Sequence, residues 1–227
     1  QVVGASPIPY SADHQVPAEL TADEIHEIRE DFIQAARRSL EAGFEWLEIH
    51  GAHGYLLQSF CSPRSNQRTD EYGGSFENRT RFLMEVVRGV RAVWPDQLPL
   101  SVRISGYEWV EDGWSVEDSV RLGNLLKAEG VDLVDCSSGG NIAHAHVPVE
   151  AGYQVFIAEA VRRGAGIATA AVGLITSPKM ADEIIREGKA DVVLLGREML
   201  RSPYWPLLAA KELGQPAPVP PQYLRAF

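Results

Sequence analysis

The stretch Trp46-Leu47-Glu48-Ile49-His50-Gly51-Ala52-His53-Gly54-Tyr55 begins as a short apolar strand, and two histidines and a tyrosine stand just past its end. A polar excursion follows, running through Ser65-Asn66-Gln67-Arg68-Thr69-Asp70-Glu71-Tyr72-Gly73-Gly74-Ser75 to Arg81, too elaborate for a simple connector. Polar groups gathered where a buried strand surfaces are how an α/β scaffold builds a reaction site.

Outward from that stretch the chain alternates between two periods. Upstream, Thr21-Ala22-Asp23-Glu24 is a capping box, and Ile25, Ile28, Phe32, Ala36 and Leu40 recur at helical spacing until Gly43 closes the helix. Downstream, Phe82, Val86, Val90 and Val93 mark one face of a helix over 76–93, and a strand is expected over 100–104. Ser115 with Asp118 opens a further helix that Gly130 ends. Strands over 131–136, 167–171 and 191–195 then alternate with helices over 154–162, from Ser177-Pro178 to Gly188, and over 203–213. The strands are apolar and β-branched with little alternation, as expected when helices cover a parallel sheet.

The count is a leading helix and five strand–helix units. A closed (β/α)8 barrel has eight strands. An open Rossmann-like sheet is the alternative, but no strand here is followed by G-x-G-x-x-G opening a helix. The expectation is an α/β chain, one domain over 1–227, holding roughly strands 4 to 8 of a TIM barrel. The first three strands are then expected from another polypeptide, the other half of a split, nicked or rearranged enzyme. Without them, unpaired edges would flank the gap.

Composition narrows the function classes. The chain is 45% hydrophobic and 23% charged, the profile of a soluble globular protein with a sizeable core. Its 21 basic and 31 acidic residues give a formal net charge of -10, which disfavours a nucleic-acid surface while leaving room for a local phosphate pocket. There is no apolar run of membrane-spanning length and no basic-then-apolar leader. Two cysteines, Cys61 and Cys136, suit a reducing compartment and are too few for a zinc site, so a cytoplasmic location is expected.

In a parallel barrel the reaction site lies at the carboxyl ends of the strands. Those ends carry His50, His53 and Tyr55; Arg103; Ser137-Ser138-Gly139-Gly140; Gly173; and Gly196-Arg197. Gly173 and Gly196-Arg197 follow the last two strands, where bare backbone N–H groups bind phosphate and a guanidinium matches its geometry. The plainer reading is that these glycines simply turn the chain. Arg103 sits inside an apolar strand and must meet an anion, an electron-rich ligand or a structural carboxylate such as Glu48. His50 and His53, three apart, read equally as core histidines, as metal ligands short of a third partner, or as donors to a substrate oxygen beside a Tyr55 acid. His144 and His146 lie in a loop without recognisable metal-enzyme spacing.

Taken together, His50-Gly-Ala-His53-Gly-Tyr55-Leu-Leu, Ser65-Asn-x-Arg-Thr-Asp-Glu-Tyr-Gly-Gly-Ser75-x-Glu-Asn-Arg79, Val102-Arg103-Ile104-Ser105, Asp135-Cys-Ser-Ser-Gly139 and Leu195-Gly-Arg197 closely resemble the old yellow enzyme family of flavin-dependent ene-reductases. The likeness runs through essentially the whole chain, in order. The His-x-x-His form and the tail Pro220-Pro221-Gln222-Tyr223-Leu224-Arg225-Ala226-Phe227 look like its bacterial, thermophilic-like branch.

The resemblance implies FMN in a TIM barrel, NADPH or NADH as hydride donor, and an activated alkene as acceptor: an enone, enal, maleimide or nitroalkene. It implies that His50 and His53 bind the substrate oxygen and that Tyr55 protonates the α-carbon. Arg103 would lie at the flavin ring, and Gly173, Gly196 and Arg197 would hold its phosphate. Arg225, in the tail 215–227, would reach a neighbouring subunit's site, which implies a homo-oligomer, dimer or tetramer; the alternative for Arg225 is a solvated terminal charge. Cys61 and Cys136 match no flavin-tuning position of the family. Three rivals stand beside this reading: an iron–sulfur flavin barrel of the dienoyl-CoA or trimethylamine dehydrogenase type, a metal-dependent barrel hydrolase using His50 and His53, and a non-catalytic fragment.

Overall fold

The computed structural model describes residues 1–217 and 219–226; Pro218 and Phe227 of the tail lie outside them. Its first elements are ones that no sequence pattern announces. β1 (Val3–Gly4) and β2 (Ala18–Glu19) pair in parallel as a two-stranded ribbon. α1 (Ala22–Glu41) then starts where expected. Thr21 Oγ1 accepts from the Glu24 amide at 3.3 Å, and the Thr21 amide donates to Glu24 Oε2 at 2.8 Å, so both orphan donors of the first turn are satisfied.

β3 (Leu47–Gly51) follows, and then α2 (Leu56–Cys61), a short helix inside the excursion that the sequence reading left as loop. The remaining elements are α3 (Phe76–Arg91), β4 (Leu100–Ser105), α4 (Val116–Ala128), β5 (Leu133–Ser137), α5 (Val155–Ala165), β6 (Ala168–Val172), α6 (Pro178–Arg186), β7 (Val192–Leu194), α7 (Arg197–Arg201) and α8 (Trp205–Glu212). α7 is an unanticipated element. It breaks from α8 at Ser202, whose extended φ of -134° is what the residue before a proline prefers.

The strand order is β3-β4-β5-β6-β7, with every neighbouring pair parallel. A doubly wound sheet reverses its order at a switch point and covers both faces. Here the order never reverses, so right-handed crossovers put every connecting helix on one face. This is an arc of a (β/α)8 barrel. The outward residues Ile49, Val102, Ile104, Val134, Cys136 and Ala171 join one core with Phe82, Leu83, Val86, Leu122, Leu126, Ile157 and Val161 from the helices. The opposite face is polar, and Trp46 there remains 51% exposed. In a closed barrel that face is filled by side chains of the other strands. Among the described residues, the outer edges of β3 and β7 are unpaired.

The excursion is a clasp. Asn66 Nδ2 donates to the carbonyls of Phe60 (2.6 Å) and Tyr72 (2.7 Å), closing the loop on itself. The Arg68 side chain, 4% exposed, donates to the carbonyls of Ala5 (3.2 Å) and Leu20 (2.6 Å) and pairs with Asp70 at 2.5 Å. It thereby ties the β1–β2 ribbon to the loop that carries α2. No helix among the described residues is long and apolar enough to cross a membrane.

Candidate functional site

β3 runs through His50 to Gly51, so His50 lies within the strand rather than past its end as the sequence reading had it. The chain then turns sharply, with His53 at φ 60° and Gly54 at φ 75°. This left-handed pair is held by two bonds: the His53 N–H donates to Ser105 Oγ at 2.9 Å, and the Gly54 N–H to Gln58 Oε1 at 2.6 Å. The turn gathers the three predicted side chains. The His50 ring lies 5.2 Å from the His53 ring and 5.6 Å from the Tyr55 ring, centroid to centroid. Tyr55 occupies the N-cap of α2 without using its side chain as a cap, and stands 66% exposed.

The surroundings of both histidines favour the neutral ring. Burial, and after it the Arg103 charge, lowers the His50 pKa; the same causes, with His50 added, bring His53 down to about 4. A neutral imidazole offers one N–H donor and one acceptor. Two such rings side by side can present both donors to a single oxygen.

Arg103 stands opposite His50 in the register, and Asp135 stands opposite Arg103. The sequence reading offered Glu48 as its structural partner; the carboxylate found there is Asp135, with Arg103 Nε to Asp135 Oδ2 at 3.0 Å. Two residues along a strand share a face, but the residue directly across the register is nearer than the diagonal one. Glu48 instead accepts from Ser101 Oγ at 3.1 Å. The guanidinium is aimed by Ser137, whose Oγ accepts from Nε at 3.0 Å and Nη2 at 2.8 Å. Neither Asp135 oxygen receives a well-formed hydrogen bond, and burial, opposed in part by Arg103, pushes its carboxyl up to about 7.

His53, Arg103, Gly173, Gly196 and Arg197 line one cavity of 340 Å³, with Ser137, Tyr153 and Gln154 among its other walls. Gly173 has φ 129°, and a Cβ there would stand 3.1 Å from both Gln154 Nε2 and Tyr153 Cε1, so only glycine fits. At Gly196 a Cβ position is open, which leaves the backbone approachable. Arg201 is paired with Glu198 at 2.6 Å, whereas among the described residues no carboxylate is in ion-pair contact with Arg197. A bare glycine turn beside an unpaired guanidinium suits a phosphate, and Arg103 at the other wall suits an electron-rich ring edge. The residues present therefore fit a flat anionic nucleotide such as FMN.

Other predicted residues stay apart from this cavity. Arg225 is exposed in a single 3-10 segment (Pro221–Ala226) and is not among its lining residues. Among the described residues no three His, Cys, Asp or Glu side chains converge as a metal-ligand set, so His144 and His146 do not join His50 and His53. Cys61 and Cys136 are buried free thiols, and burial pushes Cys61 up to about 12. Asp135 and Ser137 are residues the sequence reading left without a role, since only the strand register shows that they face Arg103.

Residues 2–215 match the family described as NADH:flavin oxidoreductase / NADH oxidase. The NADPH dehydrogenase of Geobacillus sp. (strain WCH70) is 51% identical over 227 residues, and that of Bacillus subtilis (strain 168) 46% identical over 226 residues. Each match takes in 100% of this chain and 66% of the relative, so the chain spans about two-thirds of the length of the curated relatives it matches. Among solved structures, 2-naphthoyl-CoA reductase in complex with 2-naphthoyl-CoA superposes with a TM-score of 0.82 at 27% identity, covering 95% of this chain and 33% of that one. Histamine dehydrogenase from Rhizobium sp. 4-9 gives 0.80 at 31% identity, with 95% and 32% covered. Morphinone reductase in complex with tetrahydroNAD gives 0.78 at 25% identity, with 97% and 62% covered.

Proposed function

The chain belongs to the NADH:flavin oxidoreductase / NADH oxidase family, and we propose that it carries the substrate-gripping and phosphate-binding arc of an FMN-dependent, NAD(P)H-oxidising ene-reductase. The observation that carries this reading is the shared cavity: His53, Arg103, Gly173, Gly196 and Arg197 line one space, with His50 on the Arg103 rung. What FMN supplies when bound is two-electron hydride chemistry, drawn from NADPH or NADH and delivered to the β-carbon of an activated alkene.

The chain's own residues do the rest. Arg197, with the backbone at Gly173 and Gly196, holds the phosphate, and Arg103 meets the electron-rich edge of the ring system. His50 and His53 donate their N–H groups to the carbonyl or nitro oxygen of an enone, enal, maleimide or nitroalkene. As negative charge builds on that oxygen, both hydrogen bonds strengthen, which lowers the barrier rather than merely tightening ground-state binding. The Tyr55 hydroxyl gives a proton to the α-carbon and recovers one from water, so the double bond gains one hydride and one proton in all. The polar face of the sheet is completed by the other strands of the closed barrel, to which the whole activity belongs. In a homo-oligomer, the exposed Arg225 of one copy is free to enter a neighbour's site. The higher identity to NADPH dehydrogenases than to histamine dehydrogenase favours NAD(P)H over an amine as the reductant.

The two half-reactions test this separately. Tyr55→Phe should keep flavin bleaching by NADPH within about twofold while slowing reoxidation by a cyclic enone about a hundredfold, the usual worth of a general acid. Unchanged enone turnover would remove Tyr55 from the role. A purified protein without flavin absorbance would remove the whole reading.

A further inference from the structure

Glu108 is completely buried, yet its carboxylate oxygens take hydrogen bonds from four donors, none of them a cation. Gln58 Nε2 (3.2 Å) and Asn141 Nδ2 (2.8 Å) donate to Oε1. Ser62 Oγ (2.8 Å) and the Trp114 amide (2.9 Å) donate to Oε2. A buried carboxylate is tolerated only when such donors replace its water.

The donors come from three strand-end loops. Gln58 and Ser62 lie in and just after α2, behind β3. Trp114 closes the loop after β4 on Glu108 itself, since the Glu108 N–H also donates to the Trp114 carbonyl at 3.1 Å. Asn141 follows the Gly139-Gly140 turn after β5. From Gln58 the connection passes directly to the site, because Gln58 Oε1 accepts the Gly54 N–H at 2.6 Å.

The loops after β3 and β5 also touch backbone to backbone. A Cβ on Gly54 would overlap the Gly140 carbonyl oxygen, and a Cβ on Gly140 would stand 2.6 Å from His53 Cα. Their spacing is bridged once more by Ser105, which accepts the His53 N–H at 2.9 Å and donates to the Gly139 carbonyl at 2.8 Å.

We propose that Glu108 is a positioning residue for the oxygen grip: through Gln58 and Asn141 it holds the loop bearing His53 and Tyr55 at a set distance from the β4 and β5 strand ends. The inference rests on the reading of His50 and His53 as oxygen-binding groups. A carboxylate suits the place because it accepts at both oxygens and donates at neither. An amide there would turn one oxygen into an NH2 group facing donors, and leave a buried donor unsatisfied.

In the FMN-loaded protein, Glu108→Gln should raise the Kd for 4-nitrophenolate at least about tenfold, the effect of one lost buried hydrogen bond. The FMN affinity should stay within about twofold, since none of the phosphate-side residues touches this network. Hydrogen exchange of the His53 and Gly54 amides should accelerate. A folded variant with wild-type phenolate affinity overturns the proposal, and so does loss of phenolate and FMN binding in equal proportion. If Glu108→Gln does not fold, Gln58→Met cuts only the arm to Gly54 and carries the same expectation: weakened phenolate binding supports the role and unchanged binding overturns it. A wild-type protein that binds no phenolate sinks the oxygen-grip reading instead. Gly54 exchange then decides the positioning role alone, faster in the variant if Glu108 holds the loop and unchanged if it does not.

Discussion

Asp135 Oδ2 lies 3.0 Å from Arg103 Nε, on the rung of the sheet that also carries His50. The pair is directional. Ser137 Oγ accepts from two guanidinium nitrogens, so the group stays aimed when its carboxylate partner changes. Behind the cation, the buried carboxylate subtracts from the positive potential that Arg103 presents to the cavity.

Removing that negative charge should therefore make the bound flavin easier to reduce. Asp135→Asn is expected to raise the two-electron midpoint potential by about 30 mV, equivalent to a tenfold change in the reduction equilibrium. Because burial pushes the Asp135 carboxyl up to about 7, variant and wild type should converge below that pH, where Asp135 is protonated, and diverge above it. Spectroelectrochemical titration across neutrality measures both. A potential that falls, or a difference independent of pH, contradicts the coupling.

The Ser65–Ser75 excursion, one of the motifs that carry the family resemblance, is a brace outside the cavity. Arg68 spends its donors on the carbonyls of Ala5 and Leu20 and on the Asp70 carboxylate. Arg68→Met should destabilise the fold by about 3 kcal/mol, because it leaves two carbonyls and a carboxylate without their partner. Urea denaturation followed by far-UV circular dichroism checks this. Turnover per bound flavin should be unchanged, and a selective loss of turnover at full stability would give Arg68 a role in the chemistry.

The arc was legible because its signals are local. Thr21 and Ser115 announce helix starts by capping boxes that the structure reproduces, and the apolar strands cannot be confused with loops. Elements that lack such signals went unseen. β1 and β2 are two residues each, too short for any periodicity, and the N-cap of α2, Tyr55, makes no side-chain capping bond. The predicted His50, His53, Arg103, Gly173, Gly196 and Arg197 were readable as strand ends. Asp135 was not, since its role depends on a register that pairs residue 103 with residue 135. Glu108 is one of three acidic residues in the loop after β4, with Glu111 and Asp112, and nothing local sets it apart; its hydrogen-bond partners Gln58 and Asn141 lie far away in sequence.

In the proposed phosphate site, Arg197 lines the cavity, exposed and without an ion-pair partner among the described residues. One charge-assisted contact to phosphate is worth about 1.5–3 kcal/mol. Arg197→Ala should accordingly weaken FMN binding by about tenfold to a hundredfold, measured by equilibrium dialysis of the apoprotein, while stability without FMN stays within about 0.5 kcal/mol, as for other surface substitutions. Wild-type FMN affinity in the variant would place the phosphate elsewhere.

His53 carries a pH signature whose sign follows from its surroundings. Burial, then the charge of Arg103 and the neighbouring His50, bring its pKa from 6.5 down to about 4. The unfolded chain thus takes up a proton near pH 6.5 that the folded protein refuses until about pH 4. Above 6.5 the residue is neutral in both states and contributes nothing to the pH dependence. As pH falls through that window, stability declines, and the decline from this group ends near 4. His53→Gln keeps a polar side chain without a titrating ring, and it should flatten that part of the stability profile. The expected outcome in NMR is a His53 ring that holds its neutral-form shifts down to about pH 5, a unit above its midpoint. A midpoint near the ordinary histidine value would contradict the depression by burial and Arg103, and would leave a fraction of imidazolium facing the substrate oxygen near neutral pH.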